Sequence, residues 1–473
     1  MILKLPSNRL LLKFLDLKLI FVLLNVMTQK NYSNPIKVTK LVNGGYGLAY
    51  LNNKPIFIPK TIPGDVVCVL LTRKKKHYSF AKVASYDSLS PLRQSQDCIH
   101  STHCGGCQFQ EIHYVNQLKL KQDCLEDTIT HEAPFLLPFL KPIVPCQITH
   151  YHRNKMEFAF HRSNTLTLGL KEQLNPHSVV PVSQCLLLSE ESNQILNVTR
   201  DYFEQSRLSV WDSRKQTGCL SHLMIRHSKA FDTYMVNIVA SSYEPFFSDY
   251  ALSLRNQFPQ VKSVNLLKFI QKKGVASSTH CHHLSGDTAI FEKINNLTFR
   301  ISPLSFFQTN SLQVGTLYDI VKDACTLEPG QTLLDLYCGT GTIGQYVSQG
   351  RYTLIGIDEI SEAIDDAKEN ARLNNINHAT YFSGRVKNIL KFNSFSPDCI
   401  IIDPPRSGMV PKALKRVCEL NCKQLIYVSC NPVSLVRDLK LLTESGYHVT
   451  KFTPVDMFPH TYHLECIVSL ILR

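Results

Sequence analysis

From residue 301 to residue 473 the chain alternates between β-rich runs and stretches of helical periodicity. TLLDLY, TLIGID, CIIIDPP, QLIYVSC and CIVSLIL read as strands, and Ser361 to Asn374 and Lys412 to Glu419 read as amphipathic helices between them. Such alternation predicts a doubly wound, Rossmann-like α/β sheet. Ligands of these sheets sit at the carboxyl ends of the strands, and the unusual residues of this segment fall there.

TLLDLY runs into Gly339, Gly341 and Gly344, a G-x-G-x-x-G turn whose glycines let backbone approach a ligand closely. Asp358 ends the second strand, 19 residues after Gly339, where a carboxylate can bind ribose hydroxyls. The turn would also suit NAD. Asp335 favours S-adenosylmethionine instead, because a carboxylate before the glycines would repel pyrophosphate and suit the methionine ammonium. No downstream segment suggests hydride chemistry.

Two further strand ends carry reactive groups. In IIDPPRSGM the Pro-Pro turn removes two donors and holds Asp403 at the strand end, with Arg406 pointing a cation into the same cleft. Cys430, in VSCNP, closes the next strand at the same rim. A cysteine placed there can have a depressed pKa and attack an electrophile, although a lone cysteine after an apolar strand is more often structural. Glu465, with His460 and His463 nearby, could take a proton from a substrate carbon.

The rest of the chain is organised differently. Residues 30–88 carry ten Lys/Arg and two Asp, so they hold +8 of the net +13. Short strands punctuated by Gly44-Gly45, Asn52-Asn53 and Pro63-Gly64 predict a small β-barrel of the OB type. Its run Arg73-Lys74-Lys75-Lys76 favours nucleic acid, with Tyr46 and Tyr78 available for stacking on bases and Phe57 expected in the core. Residues 89–300 form a less regular central α+β region with an amphipathic helix near Tyr114 to His131. Residues 1–29 read as an extension. Leu10 to Val26 is apolar but broken by Lys13, Asp16 and Lys18, and Met27 is the natural start. No segment reads as transmembrane, so a cytoplasmic protein, and a monomer, is expected.

Most of the sixteen cysteines are scattered through apolar or helical stretches, as reduced cysteines are. Cys98, Cys104 and Cys107 form one tight group, C-x5-C-G-G-C, with Cys185 as the fourth candidate. Four thiolates suit an iron–sulfur cluster, and they also suit tetrahedral zinc.

Taken together, LDLYCGTGTIG, IIDPPRSGM, VSCNP and HLECIVSL resemble the RNA uracil-5-methyltransferase family, as does SFFQTNS from Ser305 to Ser311. The resemblance covers about residues 34–473. It implies that Cys430 adds to carbon 6 of uracil, making carbon 5 nucleophilic enough to take a methyl group, and that Glu465 then removes the carbon 5 proton. It carries over Gln308, Tyr337, Asp358 and Asp403 as binders of S-adenosylmethionine. Relatives often carry glutamate at the position of Asp358, and an acid where this chain has Arg385, which leaves Arg385 outside the expected site. Base flipping is implied, since the thiol must reach an unstacked base. The cysteine pattern resembles the subset that holds a [4Fe-4S] cluster and acts on 23S rRNA, and the basic module resembles that subset's TRAM domain. A tRNA methyltransferase, a non-catalytic RNA-binding or assembly factor, and an iron–sulfur redox protein are the alternatives. Both Cys430 and Glu465 being present speaks against a decayed enzyme.

Overall fold

The computed structural model describes residues 33–175, 177–272 and 275–473, with side chains of 270–279 left aside. The readings made for residues 1–29, Met27 included, lie outside the described residues. The chain divides into two compact units, one ending at Arg93 and the other running from Gln94 to Arg473.

In the first unit six strands form one sheet, in the order Ile36–Lys37, Val66–Lys74, Ser79–Ser88, Lys54–Pro59, Tyr46–Leu51, Lys40–Val42. Val38, Ala49, Ile56, Ile58, Val67, Val69 and Ala81 fill its core. Phe57 corrects the expectation of a core role. Strand side chains alternate between faces, so with Ile56 and Ile58 turned inward Phe57 must turn outward. It joins Tyr46, Tyr78 and Phe80 in an aromatic cluster with ring centroids 5.5–6.5 Å apart, edge-to-face except for the tilted Phe57–Phe80 pair. Arg73 to Tyr78 are all exposed.

The second unit contains a mixed seven-stranded central sheet, Val275–Gly286, Val261–Lys272, Thr233–Ala240, Leu220–Ser228, Lys155–Arg162, Leu166–Lys171, Val179–Pro181. The helices Glu190–Glu204 and Phe246–Gln257 pack on it through Ile195, Leu196, Phe203, Phe247, Tyr250 and Leu254. The expected doubly wound sheet follows, in the order Ala379–Ser383, Thr353–Asp358, Thr332–Leu336, Cys399–Ile402, Gln424–Ser429, Glu465–Leu472, Tyr447–Val455. The first five strands are parallel, and Glu465–Leu472 runs antiparallel to both its neighbours. Both faces are covered, as parallel strands require. The helices Ser311–Ala324, Thr342–Ser348 and Ser361–Leu373 build one core. The helices Pro411–Glu419 and Pro432–Glu444 build the other, together with Leu125, Ile129 and Ala133 from around the helix Tyr114–Glu132. That last helix belongs to the region read as central, yet it is part of the cover of the doubly wound sheet. No helix among the described residues is long and apolar enough to cross a membrane.

Candidate active site

A cleft of about 890 Å³ opens along the carboxyl ends of the parallel strands. Cys430, Glu465, Gln308, Tyr337, Asp358 and Asp403 all line it, with Arg406 and His463. The antiparallel last strand brings the two reactive groups together. Ser429 pairs with Cys466, so Cys430 leaves one strand where Glu465 enters the other.

The glycine turn is more specialised than its motif suggests. Gly339 lines the cleft, and a Cβ there would meet nothing within 4 Å. At Gly344 a Cβ would lie 2.7 Å from the Asp335 carboxylate, and at Gly341, with φ +77°, it would lie 2.6 Å from Gln345. Those two glycines make room for protein, not ligand. Asp335 is a correction as well. It does not line the cleft: it is buried one residue before the strand ends, where its Oδ2 accepts from the Gly344 amide at 3.0 Å. Its Oδ1 has no partner among the described residues. Asp358 is aimed by two amides, Gly339 N at 3.0 Å and Ile360 N at 2.9 Å. Tyr337 holds φ +65°, a left-handed conformation that costs a non-glycine residue about 1–3 kcal/mol and is found where the surroundings dictate it.

The electrostatics overturn one expectation. The Cys430 thiol is not depressed. Burial, then the carboxyls of Glu465 and Asp403, push it up to about 12, against an opposing pull from Arg406. Burial and Asp403 also push Glu465 well up, again opposed by Arg406. Asp403 rises to about 7 through burial and the nearby Asp335. The cleft therefore concentrates carboxyl groups that a bound cation would help to ionise. His463 lies 3.4 Å from Arg406, and burial followed by that cation lowers it to about 3. His460, read as its neighbour at the site, is instead buried away from the cleft.

Several lining residues escaped the sequence reading. Arg153, Ser305, Phe306, Thr309, Lys387 and Phe458 reach the cleft from separate segments. SFFQTNS contains three of them, so a closer look at that motif could have found those. Arg385 also lines the cleft, paired with Glu359 at 2.9 Å.

Cys98, Cys104, Cys107 and Cys185 line one separate recess, together with Leu170, Val182 and Gln110. The Gly106 amide lies 3.3 Å from the Cys104 sulfur and the Gln110 amide 3.6 Å from that of Cys107. A Cβ at Gly105 would come 2.7 Å from the Lys171 carbonyl, so the Gly-Gly pair lets the loop dock against the central sheet. Among the described residues no group of three or more His, Cys, Asp or Glu side chains is arranged to hold a metal ion. No disulfide joins the cysteines among the described residues.

A family model described as tRNA (Uracil-5-)-methyltransferase matches residues 282–473, and one described as tRNA (uracil(54)-C(5))-methyltransferase, TRAM domain, matches residues 36–91. An uncharacterized RNA methyltransferase of Bacteroides thetaiotaomicron is 36% identical over 453 residues, covering 91% of this chain and 99% of its own. Another, of Clostridium tetani, is 35% identical over 431 residues, covering 90% and 94%. The crystal structure of the Pyrococcus abyssi tRNA (uracil-54, C5)-methyltransferase in complex with S-adenosyl-L-homocysteine superposes with a TM-score of 0.74. It is 26% identical and covers 93% of this chain and all of that one.

Proposed function

Because the chain belongs to the RNA (uracil-5-)-methyltransferase family, we propose that it methylates one uridine of 23S rRNA through a covalent bond between Cys430 and carbon 6 of the base. The observation that supports the mechanism most is the convergence of Cys430 and Glu465 at one end of an antiparallel ladder, inside a cleft lined by the four expected donor-binding residues.

S-adenosylmethionine supplies an electrophilic methyl on a sulfonium. Gln308, Tyr337, Asp358 and Asp403 are the residues that would hold it, with the Asp358 carboxylate fixed by its two amide contacts. A cationic donor suits a cleft whose carboxyls are short of positive charge. Cys430 gives up its proton to water and forms a bond from Sγ to carbon 6, and the carbon 5–carbon 6 pair moves onto the uracil carbonyl as an enolate. Carbon 5 of the enolate would then take the methyl, the methyl–sulfur bond breaking to leave S-adenosylhomocysteine. Glu465 then accepts the carbon 5 proton, and the carbon 6–sulfur bond breaks, returning the Cys430 thiolate. Arg406 favours the ionised form of both groups.

We further assign Cys98, Cys104, Cys107 and Cys185 as ligands of a [4Fe-4S] cluster. The four thiols line one recess, and four thiolates are the complement of a cubane cluster. Amide donors to the sulfurs, as from Gly106 and Gln110, fit thiolate ligands. Methyl transfer needs no electron, so the cluster would supply structure. The assignment to 23S rRNA rests on this cysteine set beside a TRAM domain. The fold shared with a tRNA methyltransferase supports tRNA as the second reading. A cytoplasmic location fits cysteines that form no disulfide among the described residues.

Incubating the protein with labelled S-adenosylmethionine and unmethylated 23S rRNA or tRNA transcripts tests the target. Label on one 23S uridine, lost in Cys430→Ala, is expected; label on tRNA alone would move the target. Anaerobic purification should yield a brown protein with about four irons per chain, whereas a colourless zinc protein would overturn the cluster.

A further inference from the structure

The loop 456–464, which carries His463 and leads into Glu465, is fastened to the cysteine-bearing segment. The amides of Gln108 and Phe109, directly after Cys107, both donate to the His460 carbonyl at 3.0 Å. Gln117 grips the same residue from the helix Tyr114–Glu132. Its Oε1 accepts from the His460 amide at 2.8 Å and its Nε2 lies 3.2 Å from His460 Nδ1. The other contacts of that Nε2 run back to the carbonyls of Phe109 and Ile112. One turn further, Lys121 pairs with Asp456 at 2.7 Å and donates to the Phe458 carbonyl at 3.0 Å. Both side chains of the pair are almost wholly inaccessible. Tyr114 donates to the other oxygen of Asp456 at 2.9 Å. His460 itself holds φ +64°, a left-handed conformation that its surroundings have to enforce.

Cys98 to Cys107 contains no helix or strand, only turns and one isolated bridge at Cys104. Backbone bonds join Gly105 to the Lys171 carbonyl at 3.0 Å and the Gln173 amide to the His103 carbonyl at 3.3 Å. Beyond those, the segment is held by the four-cysteine recess on one side and, through the amides of Gln108 and Phe109, by His460 on the other. An ion pair this buried adds little net stability, but losing one partner is costly, so such pairs serve to fix one arrangement.

We propose that Gln117 and Lys121 are positioning residues that couple the order of the four-cysteine segment to the alignment of Glu465. The proposal rests on the reading of Glu465 as the base and Cys430 as the nucleophile. A misplaced Glu465 would leave attack by Cys430 intact and slow removal of the carbon 5 proton, so the protein–RNA adduct would persist.

The test uses Gln117→Leu in the full-length protein. Donor-site integrity is read by S-adenosylhomocysteine binding, adduct by a denaturing gel, and loop order by hydrogen exchange at 456–464 without RNA. The expected result is unchanged S-adenosylhomocysteine affinity, faster exchange at 456–464, and adduct breakdown slowed about 10- to 100-fold, the scale of a displaced general base. Lys121→Met should act alike. If it fails to fold, Lys121→Met with Asp456→Leu removes the link without stranding a charge. Cys107→Ser should speed exchange at the same loop. Wild-type adduct breakdown in Gln117→Leu, or joint loss of S-adenosylhomocysteine binding and adduct formation, would overturn the positioning role. Unchanged loop exchange in Cys107→Ser would overturn the coupling. If no variant forms an adduct and Cys430→Ala still methylates, the covalent reading fails, while loop exchange still decides the coupling.

Discussion

Cys430 rests as a thiol held up to about 12, between two carboxyls and one guanidinium. Its thiolate fraction in the free protein therefore rises with pH throughout the neutral range, and kcat/KM should rise with it from pH 6 to pH 9. Arg406→Met removes the group that lowers both Cys430 and Glu465, so it should cut kcat/KM at pH 7.5 by about 10- to 100-fold, as expected for a lost charge in a recessed site, and carry the rising limb to higher pH. Rate–pH profiles of the two proteins check this. Asp403 gives a second prediction. Its carboxyl titrates near 7 in the folded protein against an ordinary value of 3.8. Between those values the folded chain keeps a proton that the unfolded chain has lost. Stability of the donor-free protein should thus fall as pH rises from about 4 to about 7. A cationic donor favours the ionised form, so affinity for S-adenosylmethionine should increase through the same window. The uncharged sulfur of S-adenosylhomocysteine should show a weaker rise, and Asp403→Asn should flatten both, as titration calorimetry at several pH values would reveal. The position of Cys430 at a strand end was legible in VSCNP. Its high pKa was not, because its largest cause is burial, which the packing of other segments sets, with Glu465 and Asp403 adding to it.

Elements differ in how openly the sequence announces them. Period-two alternation in KPIFIP places Phe57 opposite Ile56 and Ile58, so its outward face was readable. Which sheet the helix Tyr114–Glu132 covers was not, since its apolar face is equally suited to any sheet. The exposed tract Arg73–Lys76 continues the strand Val66–Lys74 into the hairpin that leads to Tyr78. Replacing its four cations by alanine should weaken RNA binding and lower the slope of log K against log salt by about 3, if each meets a phosphate of single-stranded RNA. Binding of S-adenosylhomocysteine should be untouched. In the doubly wound sheet, Gly356 lies beneath the ring of Tyr381, where a Cβ would sit 2.4 Å away. Gly356→Ala should therefore destabilise the fold by about 1–3 kcal/mol through overpacking, measurable by urea unfolding.

At the scale of the whole molecule, alternation over 301–473 revealed the doubly wound sheet because each strand and helix carries its own periodicity. The motifs at strand ends and SFFQTNS, through the family resemblance they carry, pointed to the six residues that now line one cleft. What stayed hidden are meetings between distant segments. Gln117 and His460 lie 343 positions apart, and nothing local to either marks the other. Arg153 reaches the cleft from the start of the central sheet in the same silent way. Two units with separate cores also imply separable failures. A mutation that melts the first unit, such as Ile58→Ala at a fully buried position, should cost it about 2–5 kcal/mol and reduce RNA affinity, while calorimetry of the second unit's transition stays unchanged. The reversed direction of the last strand has a consequence for length changes. Nucleophile and base share a ladder in which Ser429 faces Cys466, so their spacing is set by register. One inserted residue among Cys466–Leu472 would slide the strand by about 3.3 Å or turn Glu465 to the opposite face. The tail of this protein should accept many spellings of its apolar letters, but no change in their number.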